Sequence, residues 1–223
     1  MKNKSLEIAC FNLESAIVAQ EYGADRVELC DNMLEGGTTP DFEIARKVRA
    51  KLTIKLNVMI RPRGGDFVYN DIEFEEMKSD IQEFKEINVD GFVFGILNED
   101  NSLDLKRNKE LVELASPIPC TFHRAFDVIS NVYESLESVI SCGFKAVLTS
   151  GQGKNVVEGI EVLKNLVEKA NDRVIIMPGG GLRSSNIDML NKIVKAPFYH
   201  SSAITNSGKI ANGNEIEKIK YYL

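Results

Sequence analysis

Short apolar runs alternate along this chain with stretches whose apolar residues recur every three or four positions. Such a pattern predicts strands and helices in turn. The first strand is predicted at 6–10. Asn12 can cap the helix after it, in which Leu13, Ala16, Ile17 and Gln20 fall at helical spacing. Further strands are predicted at 26–30, 55–60, 91–97, 120–125, 146–150, 174–177 and 198–204. Between them helices are predicted at 41–49, opened by Pro40, from Asp71 onward with Phe74, Met77, Ile81 and Phe84 on one face, and at 104–114, 132–141, 155–170 and 184–191. A last, shorter helix is predicted at 215–222.

The strands are nearly continuous apolar runs, as parallel strands covered on both faces are. Gly23, Gly91 and Gly143 each stand between a helix and the next strand, where a left-handed cap is wanted. No Pro/Ser-rich linker divides the chain. Eight strand–helix units in one domain predict a TIM (β/α)8 barrel. A doubly wound open sheet would need fewer strands or a G-x-G-x-x-G after the first strand, and neither is present.

Composition narrows the function. Of 223 residues, 43% are hydrophobic and 27% charged, enough for a large core. The net charge is −6 and the pI near 5.2, with no run of Lys or Arg, which argues against nucleic acid as a partner. No segment approaches the ~20 apolar residues of a membrane span. Glu7 interrupts any signal-peptide core, so a cytoplasmic location is expected. Cys10, Cys30, Cys120 and Cys142 form no C-x-x-C pair and read as free thiols of a reducing compartment.

The polar residues gather where strands end, the end at which a TIM barrel carries its site. Glu28 and Cys30 close the second strand, and Arg61 and Arg63 follow the third. His123 and Arg124, near Asp127, follow the fifth, and Thr149 and Ser150 the sixth. Gly179, Gly180 and Gly181 follow the seventh, and His200, Ser201 and Ser202 close the eighth. Four chemistries are open. Glu7 and Glu28 would sit side by side in the lumen, where two like charges at ~4 Å repel by about 4 kcal/mol at an effective dielectric near 20. One must then be protonated or find a cation, for which Arg61 is the candidate. They form either an acid/base pair with an arginine clamp or a buried structural ion network. Gly179 to Gly181 with His200 and Ser202 make either an anion pocket for a phosphate or carboxylate, or only a tight turn. Cys10 and Cys30 end adjacent strands and are either soft ligands, for Cu(I) as a pair or for zinc with His200 or His123 joining, or buried packing. Strand alternation bears on this choice. If Glu7 faces the lumen, Cys10 faces the helices unless the strand ends or bulges there. His123 is either a general base or a core histidine.

Several stretches resemble the CutC family of copper homeostasis proteins. They are Leu6-Glu7-Ile8-Ala9-Cys10, Gly23-Ala24-Asp25-Arg26-Val27-Glu28-Leu29-Cys30, Glu35-Gly36-Gly37-Thr38-Thr39-Pro40, Ile60-Arg61-Pro62-Arg63-Gly64-Gly65-Asp66-Phe67, Thr121-Phe122-His123-Arg124-Ala125-Phe126-Asp127, Val147-Leu148-Thr149-Ser150-Gly151-Gln152 and His200-Ser201-Ser202. The resemblance spans 6–204. It implies a TIM barrel, a cytosolic location, self-association as a dimer or tetramer, and a Cu(I) site on Cys10 and Cys30. Asn57 stands where some relatives carry histidine, and the chain after Ile204 is shorter than in many. Two functions follow. One is handling of Cu(I). The other is an enzyme for a small anionic or phosphorylated metabolite, with Glu7, Glu28, His123 and Arg61 as catalytic groups and Arg63, Arg124, Thr149, Ser150, the three glycines, His200 and Ser202 on the anion. No organic cofactor is indicated.

Overall fold

The computed structural model describes residues 4–223. Its strands are β1 (Ser5–Cys10), β2 (Arg26–Leu29), β3 (Lys55–Met59), β4 (Gly91–Phe94), β5 (Cys120–Phe122), β6 (Ala146–Thr149), β7 (Ile175–Pro178) and β8 (Phe198–Ser201). Between and after them run α1 (Leu13–Glu21), α2 (Phe42–Lys51), α3 (Asp71–Lys85), α4 (Leu105–Ala115), α5 (Val132–Cys142), α6 (Ile160–Ala170), α7 (Ile187–Ile193) and α8 (Gly213–Tyr221). The eight strands are parallel and pair in the order β7-β6-β5-β4-β3-β2-β1-β8. Because β1 pairs with both β2 and β8, the sheet curls into the predicted barrel. At the seam, β7 and β8 lie side by side without a ladder. Gly179 permits this approach, since a Cβ there would lie 3.1 Å from the His200 Cβ.

Local chemistry sets the helix starts. Asn12, Asp41, Asn70, Asp104, Asn131 and Asn212 each cap a helix by accepting a backbone N–H of its first turn. The α6 and α7 starts have no such side-chain cap, and there the sequence pattern ran ahead of the structure. Asn155, the predicted start of the sixth helix, bonds the amides of Val157 and Glu158 in a turn, so the helix begins at Ile160.

Three strands stop three residues short of their predicted ends, each for a visible reason. Asn108 of α4, fully buried, takes both backbone groups of Ile96 at 3.1 and 2.8 Å, which ends the β4 ladder. The His123 ring accepts the Ala125 N–H at 3.3 Å and starts a short 3-10 turn, Arg124–Val128, in place of the last residues of β5. The Ser201 hydroxyl accepts the Ala203 N–H at 3.0 Å and donates to the Leu182 carbonyl at 2.8 Å, closing β8.

Strand alternation sorts the side chains. Leu6, Ile8, Val27, Leu29, Leu56 and Val58 point outward into one continuous core under the helices. Inside the barrel the apolar group is small: Cys30, Met59 and Val93, with Phe11 against them. Ala9 and Leu148 also line the cavity there, among polar side chains. No helix among the described residues is long and apolar enough to cross a membrane.

Candidate functional site

The register places Glu7 beside Arg26 on one neighbour and His200 on the other, and Glu28 beside Asn57. These inward side chains form the floor of the site. Glu7 has no exposed surface and is saturated with partners. One carboxylate oxygen takes the Arg26 Nε–H in an ion pair and the Asn57 amide at 3.3 Å. The other lies 2.8 Å from His200 Nδ1. The cation predicted for this place was Arg61. Arg26 supplies it instead, from the same strand as Glu28, its guanidinium stacked on Phe198 at 4.2 Å. Gly91 has a different purpose from Gly23 and Gly143. Its backbone is not left-handed, but a Cβ there would collide with the Asn57 amide that serves Glu7.

The two carboxylates, alike in sequence, differ in state. Burial raises the Glu7 carboxyl, but the Arg26 charge and the His200 bond outweigh it and bring it down to about 2. Glu28 has no arginine paired with it. Burial lifts it to about 7, with His200 pulling down and Glu7 pushing up. One Glu28 oxygen lies 3.7 Å from His200 Nε2 and the other has no partner. Burial lowers His200, but the Glu7 bond and the Glu28 charge raise it more. Glu28 and His200 therefore bias each other's protonation, while Glu7 holds the ring from behind.

Above this floor opens a cavity of about 590 Å³, within the range of small-molecule sites. Glu28, Cys30, Arg61, His123, Arg124 and His200 all reach it, as do Gly180, Gly181 and Ser202. Burial and then the Arg61 charge push His123 down to about 3, so its imidazole is neutral. Arg124 is aimed by Asp127 at 2.8 Å and reaches the Ser150 hydroxyl at 3.2 Å. Asp127 also accepts the Thr149 hydroxyl at 2.5 Å and the Ser150 amide at 2.9 Å. Thr149 and Ser150 thus hold Arg124 in place from behind the cavity wall. Gly180 and Gly181 have left-handed backbones, φ +105 and +74, and their amides meet no protein acceptor. A Cβ on Gly180 would stand 3.1 Å from the Arg124 Cζ, so this glycine keeps loop and guanidinium together.

Other predicted residues fall elsewhere. Arg63 turns away from the cavity to Glu73 at 2.5 Å and Asp66 at 3.0 Å, tying its loop to α3. Gly179 serves the seam. Strand β1 runs through Cys10 without a bulge, with Cys10 paired to Leu29, so the Cys10 thiol lies under the helices and points to the Ile8 carbonyl at 3.5 Å. The Cys30 thiol faces the lumen beside Met59. The two sulfurs predicted to share Cu(I) stand on opposite faces of the sheet. Burial and the Glu28 carboxylate push the Cys30 thiol up, so it is a thiol rather than a thiolate. Glu7, Glu28 and His200 bring one ligand atom each within 4.8 Å of one another. However, Glu7 is already bound to Arg26, and carboxylates are hard donors that suit Cu(I) poorly. Sequence reasoning missed Arg26, Met33, Phe67 and Arg183, whose types carry no signal outside the folded barrel.

The CutC family model matches residues 4–205. The copper homeostasis protein cutC homolog of Mus musculus is 43% identical over 198 residues, 89% of this chain and 73% of that protein. A CutC family protein of Chromobacterium violaceum is 44% identical over 201 residues, 90% and 81% of the two chains. A Streptococcus agalactiae crystal structure, described as a CutC copper homeostasis protein, superposes with a TM-score of 0.86 at 36% identity, covering 91% of this chain and all of that one. Phosphoribosyl anthranilate isomerase from Thermotoga maritima, at 15% identity and a TM-score of 0.68 over 98% of each chain, shares the fold.

Proposed function

The chain belongs to the CutC family, and from that premise we propose that it is a barrel enzyme that moves a proton on a small anionic metabolite, with Glu28 as the acid/base group. The observation that carries this reading is the state of Glu28. It lines the cavity, one of its oxygens has no partner among the described residues, His200 Nε2 lies 3.7 Å from the other, and burial lifts its carboxyl to about 7. A general acid/base works best when its pKa lies near the working pH, and such groups contribute roughly 100- to 10,000-fold to rate. His200, held at Nδ1 by Glu7, stores or returns the proton through Nε2. Arg124, Arg183 and the free amides of Gly180 and Gly181 line the opposite side and suit an anionic group. The four unpaired thiols suit a reducing cytosol.

A second reading keeps the metal as cargo, and one observation favours it. Cys30 and Met59 pack together on the cavity wall and Met33 lies at its rim, a set of soft sulfur donors that suits Cu(I). Cu(I) would then ride on Cys30 and Met59, with Cys10 left in the core. Anaerobic Cu(I) titration against a competing chelator, together with a thermal-shift screen of phosphorylated and carboxylated metabolites, separates the two readings. The enzyme reading expects stabilising anions whose effect is lost in Arg124→Ala, and Cu(I) affinity no higher than that of a lone thiol. Tight Cu(I) binding lost in Cys30→Ser, with no anion response, would install the cargo reading instead.

A further inference from the structure

Among the described residues, three buried polar atoms at and around Arg61 have no hydrogen-bond partner: Arg61 Nε, the Tyr69 hydroxyl and His123 Nε2. Arg61 is the more unusual. It is a buried cation with which no carboxylate pairs among the described residues. Three of its five N–H groups donate to the carbonyls of Glu35, Gly37 and Gly65 at 2.7, 3.0 and 2.8 Å, and Nε is the guanidinium nitrogen left with no partner among the described residues. An uncompensated buried charge costs several kcal/mol, so the site is built for a negative partner. His123 completes it. Its Nδ1 accepts the Ala125 N–H, which forces the ring proton onto Nε2 and makes that atom a donor. The Phe67 ring packs on both groups, with its centroid 4.8 Å from the Arg61 Cζ and 4.8 Å from the His123 ring centre. The Phe67 backbone is pinned, since its carbonyl accepts the Leu97 N–H at 2.9 Å. Arg61, Phe67 and His123 all line the cavity.

We propose that Arg61 Nε–H and His123 Nε2–H form an oxyanion site, and that the substrate is an anionic ketone or aldehyde that the protein enolises. The inference rests on the acid/base reading of Glu28 and adds the electrophilic half of the site. Two N–H donors and one positive charge suit a single oxygen that gains charge during reaction. The cavity lining contains no lysine to form a Schiff base, so the oxygen stays on the carbonyl carbon. In the step, the ionised Glu28 carboxylate takes the proton from the carbon next to the carbonyl. The C–H electron pair becomes the C=C bond, and the carbonyl π pair moves to oxygen, where the two N–H groups meet the enolate. Return of the proton from Glu28 to carbon reverses the step. A neutral imidazole donates to the enolate without giving up its proton.

The chain has two histidines, and both line this cavity, so ¹⁵N-histidine NMR reads the site directly. The expected result is one ring fixed as the neutral Nε2–H tautomer through the mildly acidic range. Its Nε2 proton should move downfield when oxalate, a mimic of a two-carbon enolate, is added. An Nδ1–H tautomer, or an Nε2 proton that stays put through the oxalate titration, overturns the proposal. Washout of α-protons into D₂O is then followed for pyruvate and dihydroxyacetone phosphate. His123→Leu should slow it by roughly 100-fold or more, and His123→Gln, which keeps a donor, by less. Washout lost in Glu28→Gln but unchanged in His123→Leu would refute the oxyanion site and leave the acid/base reading standing. Washout that survives Glu28→Gln would refute the acid/base reading itself.

Discussion

Replacing Glu28 with Gln keeps the shape of the floor and removes one titration, and its effect on stability can be worked from the geometry. Glu28 is 2% exposed, and burial outweighs the pull of His200 and lifts its carboxyl from an ordinary 4.5 to about 7. At about 1.4 kcal/mol per pKa unit, that displacement corresponds to about 3 kcal/mol. A carboxyl raised on folding holds its proton more tightly in the native state. Its contribution is present below 4.5 and is lost as pH rises to about 7. Glu7 acts in the other direction and in another window: lowered to about 2, it stabilises above 4.5, and that stability is lost as the solution is acidified toward 2. Asp80, raised to about 6 chiefly by burial, also loses stability on the way up, but equally in wild type and variant. His200, raised from 6.5, adds its loss only at the alkaline end. Urea unfolding of wild type and Glu28→Gln, measured at mildly acidic and mildly alkaline pH, isolates the Glu28 share. The wild type should lose about 3 kcal/mol more than the variant between the two conditions. Identical pH dependence in both proteins would refute the assignment of a raised carboxyl to Glu28.

Three other substitutions test separate parts of the site. Arg26→Met strands the Glu7 charge and should cost about 3–5 kcal/mol in chemical unfolding, with part of the loss recovered in the Arg26→Met/Glu7→Gln double variant. Cys10→Ser places a hydroxyl in the layer under the helices and should cost about 1–3 kcal/mol while leaving Cu(I) titration unchanged. Cys30→Ser should change the copper titration if either thiol does. His123→Leu removes an unsatisfied buried donor but also strands the buried Ala125 N–H that the ring accepts, so its melting temperature should fall modestly while the oxalate response disappears.

The barrel was legible because its signal is periodic: apolar runs of strand length alternate with helical spacing, and Asn or Asp stands before six of the eight helices. The strand ends were less so. Asn108, His123 and Ser201 end β4, β5 and β8 by side-chain bonds to backbone, and nothing in the apolar runs marks them. The site was legible as a set of strand-end polar residues, and the alternation argument about Glu7 and Cys10 anticipated their opposite faces. The partners were not. Arg26 at the foot of β2 looks like a surface residue until the register sets it beside Glu7. Arg61 looks like the obvious cation until its loop is folded and its guanidinium turns to three carbonyls.

A buried ion network that merely closes the barrel floor is the rival account of these residues, and the distribution of satisfied and unsatisfied atoms argues against it. A purely structural network is stable only when each member has its partners, because an orphaned buried polar atom costs about 1–3 kcal/mol. Glu7 meets that standard: arginine, asparagine and histidine use both its oxygens. Glu28, one strand over and equally buried, does not. Four buried side-chain atoms lack partners among the described residues, on Glu28, Arg61, Tyr69 and His123. Three of these residues line the same cavity, and Tyr69 stands close to Arg61. The unsatisfied acceptor is on the side with the mobile proton and the unsatisfied N–H donors on the side with the fixed charge. Packing alone would favour leucine or methionine at each position. A ligand that brings an acidic C–H to Glu28 and an oxygen to Arg61 and His123 satisfies both sides at once. Cu(I) alone would engage neither the Arg61 nor the His123 N–H donor.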